Sequence, residues 1–168
     1  LILDRSEAKM REALREIPDG TYSFEDYFDD ARPGSEPIKF AVDLTFADGS
    51  VELDFSRSSG QVDAAINSYI NYTRAYSLFA IKVFADALGP QNAGAMRPIS
   101  VVAREGSFFN PRFPAPSGGR AALQLRIFEV VNGAIAQAVP ERAMAAFSHW
   151  SNPNIGGVND ATGKPFVL

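Results

Sequence analysis

A chain of 168 residues with 46% hydrophobic and 21% charged residues has globular proportions and enough apolar material for one sizeable core. A net charge of -4 with no cluster of basic residues argues against a phosphate-tracking surface, so no nucleic-acid partner is expected. The absence of cysteine excludes disulfides and thiolate chemistry, and the cytoplasm is the expected compartment.

One domain, residues 1–168, is expected. The opening "LILDRSEAKMREAL" lacks a basic leader, an apolar core and a cleavage site, so it does not read as a signal peptide. Asp4 followed by Glu7 reads as a capping box that starts a short helix. Met10, Leu14 and Ile17 then share a face until Pro18-Asp19-Gly20 ends the pattern.

Within "TYSFEDYFDD", the carboxylates Glu25, Asp26, Asp29 and Asp30 have a density that suits a hard cation, but their spacing matches no calcium loop. A turn with solvated acids and buried Tyr27 and Phe28 rings is the expected structure. From Ile38 to Phe46, large apolar residues alternate with smaller or polar ones, and Val51, Leu53 and Phe55 resume the alternation after Asp48-Gly49. The pair reads as an antiparallel hairpin closed at that dipeptide.

Beyond "SRSSGQ", an apolar arc at helical spacing predicts a long helix over Asn67 to Leu88, too polar at Asn71, Arg74, Lys82 and Asp86 to cross a membrane. Asn67, Asn71 and Arg74 recur at i, i+4 and i+7, a polar stripe that suits a ligand or a solvated helix face. Pro98 to Ala103 reads as a strand, "GSFFNPRFPAPSGG" as a loop, Leu123 to Val139 as a second helix stopped by Pro140, and "KPFVL" as the opening of a strand. Together these elements predict an α+β fold: an antiparallel hairpin-containing sheet packed against a long helix and a second, C-terminal helix.

Chemistry is harder to place. His149 is the sole histidine and has no metal spacing around it; beside Trp150 it reads as a ring packed at a corner. Gln124 projects from an apolar arc and requires a hydrogen-bond partner if buried. The chain has no Walker A loop, no G-x-S-x-G elbow and no dinucleotide fingerprint.

The phrases "IPDGTYSFEDYFDD", "PIKFAVDLTFADGSVELDFSRSSGQVDAAINSYINYTRAYSLFAIK", "NAGAMRPISVVAREGSFFNPRFPAPSGG" and "IFEVVNGAIAQAVPERAMAAFS" resemble, in order and spacing, the hydantoinase B family. That family includes subunits or domains of N-methylhydantoinase, 5-oxoprolinase and the acetone and acetophenone carboxylases. The resemblance implies an interior fragment of a larger subunit of an ATP-dependent cyclic-amide hydrolase or ketone carboxylase, with a non-catalytic assembly module as the other reading. It implies a hetero-oligomer in which a hydantoinase A-like partner carries ATP. The resemblance also implies that a divalent metal, where the enzyme uses one, belongs to a preceding part of the subunit, and that no cofactor is expected on this segment.

The retained positions Ser56, Ser58, Gln61, Asn67, Arg74, Asn92, Asn110, Gly118 and Gly119 become the substrate-binding candidates; no catalytic residue is assigned. Asn67 and Arg74 are expected to point into one cleft at the hairpin-helix junction. Departures from the family pattern fall at polar places: Arg57 in "SRSSGQ", Arg120, Ala122 and Leu125 in "GGRAALQLR", and "SHWSNPN" near the end.

Overall fold

The computed structural model describes residues 1–29, 31–145 and 155–167, and the backbone but not the side chain of Ala122. Asp30, His149, Trp150 and the "SHWSNPN" stretch therefore lie outside the described residues. The first helix, α1 (Ile2–Leu14), buries Met10 and Leu14 on one face, with Ile17 completing the stripe. It begins two residues before Asp4, so Asp4 and Glu7 lie inside the helix rather than at its cap. Both instead receive Arg97 Nη1, at 2.9 and 3.0 Å.

The segment expected to be an acidic turn is a strand, β1 (Gly20–Phe28), paired antiparallel with β2 (Ile38–Ala47) along its whole length. Its polar, mostly exposed side chains give no period-2 signal, which is how an edge strand with little to bury escapes a pattern search. Tyr27 is 48% exposed rather than buried, whereas Phe28 does pack on the core. Glu25 and Asp26 are taken up by arginines: Arg57 reaches Glu25 at 3.5 Å and Arg126 pairs with Asp26.

β2 and β3 (Ser50–Asp54) form the predicted hairpin, and Ile38, Phe40, Val42, Leu44, Phe46, Val51 and Leu53 are all buried. Asp48 and Gly49 have φ of 44° and 69°, the left-handed pair that a two-residue hairpin turn demands. Helix α1 presses on this turn: Arg11 Nη1 donates to Ser50 Oγ at 2.6 Å, and a Cβ at Gly49 would stand 2.7 Å from the Arg11 carbonyl oxygen.

The long helix is shorter than predicted. α2 spans Ile70–Ala85, because Asn67 to Tyr69 are drawn out of helical geometry by bonds to other loops. At its far end Lys82 Nζ donates to the carbonyls of Asp86 and Gly89, at 2.6 and 2.7 Å, closing the helix. After α3 (Ala93–Met96), β4 (Ile99–Val102) runs parallel to β3, completing a mixed sheet of order β1-β2-β3-β4.

The second helix is divided into α4 (Ala121–Gln124) and α5 (Arg126–Ala138), followed by a 3₁₀ turn at Pro140–Arg142. Helix α5 lays Ile127, Val130, Val131, Ala134 and Ile135 on the core. Phe108 and Phe109 enter the same core from the proline-rich loop, 5.1 and 5.3 Å from the Phe40 ring. The described tail is a small hairpin, β5 (Gly156–Val158) with β6 (Pro165–Val167), where the strand expected in "KPFVL" lies. The arrangement is α+β, and no described helix is long and apolar enough to cross a membrane.

Candidate functional site

Most candidate residues converge on the corner where the chain leaves β3, turns through residues 55–69 and enters α2. The proline-rich loop, residues 103–119, lies against it. Two backbone segments meeting without sheet or helix leave many donors and acceptors to satisfy, and burial makes each unpaired one costly. The polar side chains there supply the partners.

Ser58 is buried, and its hydroxyl bonds both the N–H and the carbonyl of Ala41 at 3.0 Å, attaching the loop to β2. Ser59 repeats the device at Lys39: its hydroxyl accepts from the Lys39 N–H at 2.9 Å, and its N–H donates to the Lys39 carbonyl at 3.0 Å. Ser56 sits in the turn that Asp54 caps, its N–H donating to Asp54 Oδ1 at 2.8 Å. Gln61 joins the two loops: its N–H donates to the Gly106 carbonyl at 2.9 Å, and its Oε1 accepts from the Arg112 N–H at 2.7 Å.

Asn67 is fully buried. Its Oδ1 accepts from the Val62 N–H at 2.9 Å, and its Nδ2 reaches the carbonyls of Val62, Ala64 and Pro116 at 2.7, 3.1 and 2.9 Å. Asn110 Nδ2 donates to the Ala103 carbonyl at 3.0 Å. The Gly119 N–H donates to the Ala65 carbonyl, and a Cβ at Gly119 would stand 3.2 Å from that oxygen; Gly118 is exposed with open space around its Cα. Asn92 lies elsewhere, capping α3 through the Gly94 and Ala95 N–H groups and donating to Ser6 Oγ at 2.9 Å.

Asn67 and Arg74 do not share a cleft. Asn67 is sealed in the corner, whereas Arg74, exposed on α2, lines a separate cavity of about 330 Å³ with Leu78, Met96, Ile99, Ser100 and Val101. Three residues, Ser68, Thr73 and Ser107, play parts that no motif search would single out. Ser68 Oγ receives Gln124 Nε2 at 3.1 Å and sits 3.0 Å from Thr73 Oγ1, which donates to the Phe109 carbonyl at 2.8 Å. Ser107 Oγ is buried and finds no hydrogen-bond partner among the described residues. Gln124 was the one legible signal of this network, an amide within an apolar arc.

Of the departures from the family pattern, Arg57, Arg120 and Leu125 have described side chains, and Arg120 Nη1 donates to the Ser117 carbonyl of the proline-rich loop at 3.0 Å. Arg57 makes a two-pronged pair with Asp43 on the sheet, Nε and Nη2 at 2.8 and 2.7 Å, which holds the Asp43 carboxyl below the usual aspartate range. The Arg120 guanidinium lies 3.9 Å over the Tyr72 ring, and Leu125 lines an apolar groove with Ala75, Tyr76 and Phe79. Among the described residues no group of three or more His, Asp or Glu side chains is placed to hold a metal ion. The corner as it stands orients backbone; it presents neither a nucleophile-base pair nor a metal ligand set.

The family model described as hydantoinase B/oxoprolinase matches residues 1–168. The chain belongs to this family. A hydantoinase B-type component of a D-/L-hydantoinase from Pseudomonas sp. (strain NS671) is 33% identical over 91% of the chain, and the beta component of the Pseudomonas jessenii caprolactamase is 29% identical over 92%. The crystal structure of the ATP-dependent caprolactamase from Pseudomonas jessenii superposes with a TM-score of 0.85 at 27% identity over 99% of the chain. A nucleotide-free acetone carboxylase superposes at 0.75 with 14% identity over 97%, a likeness of fold alone. This hydantoinase B-like chain spans 29% of the hydantoinase relative and 27% of the caprolactamase component.

Proposed function

We propose that this chain is the core-forming part of the hydantoinase B-like subunit of an ATP-dependent cyclic-amide hydrolase, one that opens a hydantoin or 5-oxoproline ring. The observation that carries the reading is kinship over nine-tenths of the chain with two proteins whose names denote cyclic-amide enzymes, against a carboxylase likeness confined to fold. In this reading ATP binds to a hydantoinase A-like partner. A divalent metal, where the enzyme uses one, binds to other parts of the subunit, and the assembly is a cytoplasmic hetero-oligomer.

The role of the corner follows from its bonds. Ser58, Gln61, Asn67 and Asn110 spend their polar atoms on backbone, so they set the shape of the loops against which a small polar ring would rest, rather than reacting with it. The exposed backbone at Gly118 and the half-buried Ser56 are the candidates left to face a substrate. This segment alone is inactive.

The test is to assay the complete subunit with its hydantoinase A-like partner and ATP against hydantoin, 5-oxoproline and caprolactam, following ring-opened product and ADP. ATP-dependent ring opening supports the reading. Carboxylation of acetone with bicarbonate, and no ring opening, turns it to a ketone carboxylase. A stable complex active on none of these substrates supports an assembly module, the reading favoured by the apolar groove at Leu125.

A further inference from the structure

The two edges of the four-stranded sheet are finished differently. In β1, the residues opposite Lys39, Ala41 and Asp43 turn their backbone groups outward, because Lys39 and Ala41 spend theirs on Ser59 and Ser58 on the β3 side. Helix α5 meets that outward row: Gln137 Nε2 donates to the Ser23 carbonyl at 2.6 Å and Arg126 Nη2 to the Tyr27 carbonyl at 3.2 Å. The Tyr27 N–H is closed by Asp26 Oδ1 at 2.8 Å. Covering and charge of this kind keep a sheet edge from recruiting another strand.

Strand β4 has no such finish. The carbonyls of Pro98 and Val102 accept from Val51 of β3 and from Phe55 just past its end, at 2.9 and 2.8 Å, so the intervening alternation directs the N–H and carbonyl of Ile99 and Val101 away from β3. The next outward carbonyl, Ala103, is taken by Asn110. Among the described residues, nothing bonds the outward groups of Ile99 and Val101. The cleft of about 330 Å³ beside them carries apolar Leu78 and Met96 and the Arg74 guanidinium, which has no ion pair or hydrogen bond among the described residues.

An open ladder, apolar alternate positions and an unpaired cation make one surface, fitted to a short extended segment bearing aliphatic side chains and one carboxylate. We propose that β4 is an interior strand in the assembled subunit. A fifth strand, from the part of the hydantoinase B-like polypeptide outside these 168 residues, pairs with Ile99 and Val101 and sets an acidic side chain on Arg74. The same polypeptide is the occupant because the relatives are more than three times as long as the stretch this chain spans, so most of their length lies elsewhere in the subunit. This rests on the reading that the chain works within a longer subunit, and it assigns Arg74 to assembly rather than to substrate.

Amide hydrogen exchange at Ile99 and Val101, measured in the 168-residue chain and in the complete subunit, reads the pairing without any turnover. A failed ring-opening assay therefore leaves this test intact, and the reverse holds. Protection rising by about a hundredfold or more in the complete subunit is the expected result. Equal exchange in both overturns the proposal, as does concentration-dependent protection in the isolated chain, which would assign the edge to a second copy. In the complete subunit, Arg74→Glu should lower that protection about tenfold while Arg74→Lys retains most of it; a charge reversal without effect overturns the acidic partner.

Discussion

The Gln124 amide donates to the Ser68 hydroxyl at 3.1 Å, joining α4 to the loop that precedes α2 across 56 positions of sequence. Both residues are buried, so the bond links the two elements away from solvent. Gln124→Leu removes this donor but leaves Ser68 Oγ its contact with Thr73, so the expected loss is about 1 kcal/mol. Urea unfolding checks it; a loss above about 3 kcal/mol would mean that Gln124 holds more than Ser68.

Asn67 carries a heavier load. Asn67→Ala strips the corner of four hydrogen bonds at once and leaves backbone groups of Val62, Ala64 and Pro116 without that partner. The expected cost is about 2–4 kcal/mol, with proteolytic nicking appearing between residues 60 and 69. Asn67→Asp, which keeps the acceptor and loses the donors, should cost nearly as much. An alanine variant with unchanged unfolding midpoint would contradict the structural role given to this residue.

Gly133 of α5 faces the Phe24 ring so closely that a Cβ there would stand 2.5 Å from the ring. Gly133→Ala is therefore expected to destabilise by about 1–2 kcal/mol, despite the better helix propensity of alanine. In a Phe24→Ala background the same change should gain about 0.5–1 kcal/mol, because only the propensity remains. A double-mutant cycle by chemical denaturation decides it: equal effects in both backgrounds would exclude the ring as the cause.

Arg57 holds the Asp43 carboxyl below the usual aspartate range. A carboxyl depressed in the folded state contributes stability that is present above its unfolded value and lost as pH falls through its folded value. The difference in melting temperature between the wild type and Arg57→Ala should accordingly be largest near neutral pH and shrink on acidification below about pH 4. A gap of constant size from about pH 7 to about pH 3 would show that packing, not the ion pair, separates the two proteins.

Much of the fold was legible because burial on one face imprints a period. The hairpin over Ile38 to Phe55 alternates, α2 and α5 repeat at helical spacing, and Asp48-Gly49 has the backbone freedom its turn requires. Strand β1 was not legible, since Tyr22 to Phe28 bury too little to leave an alternation, and its place is set by pairing with β2 and by the cover of α5. The candidate residues were found by resemblance, but their geometry was not: Asn67 looked like a helix residue until the bonds to Val62 and Pro116 drew it into the corner.

What the sequence determined by itself was the set of elements with strong local periods and the turn that joins β2 to β3, which reside in residues near one another in the chain, and the hydantoinase B kinship, which is carried by the order of phrases along it. What only the tertiary structure decided was which polar groups face one another, as Gln124 meets Ser68 and Arg57 meets Asp43 and Glu25, and which sheet edge is left open at Ile99 and Val101. The reason is physical. A local period records how much of a side chain is buried, whereas a hydrogen bond between distant residues depends on the distance and angle that folding alone establishes.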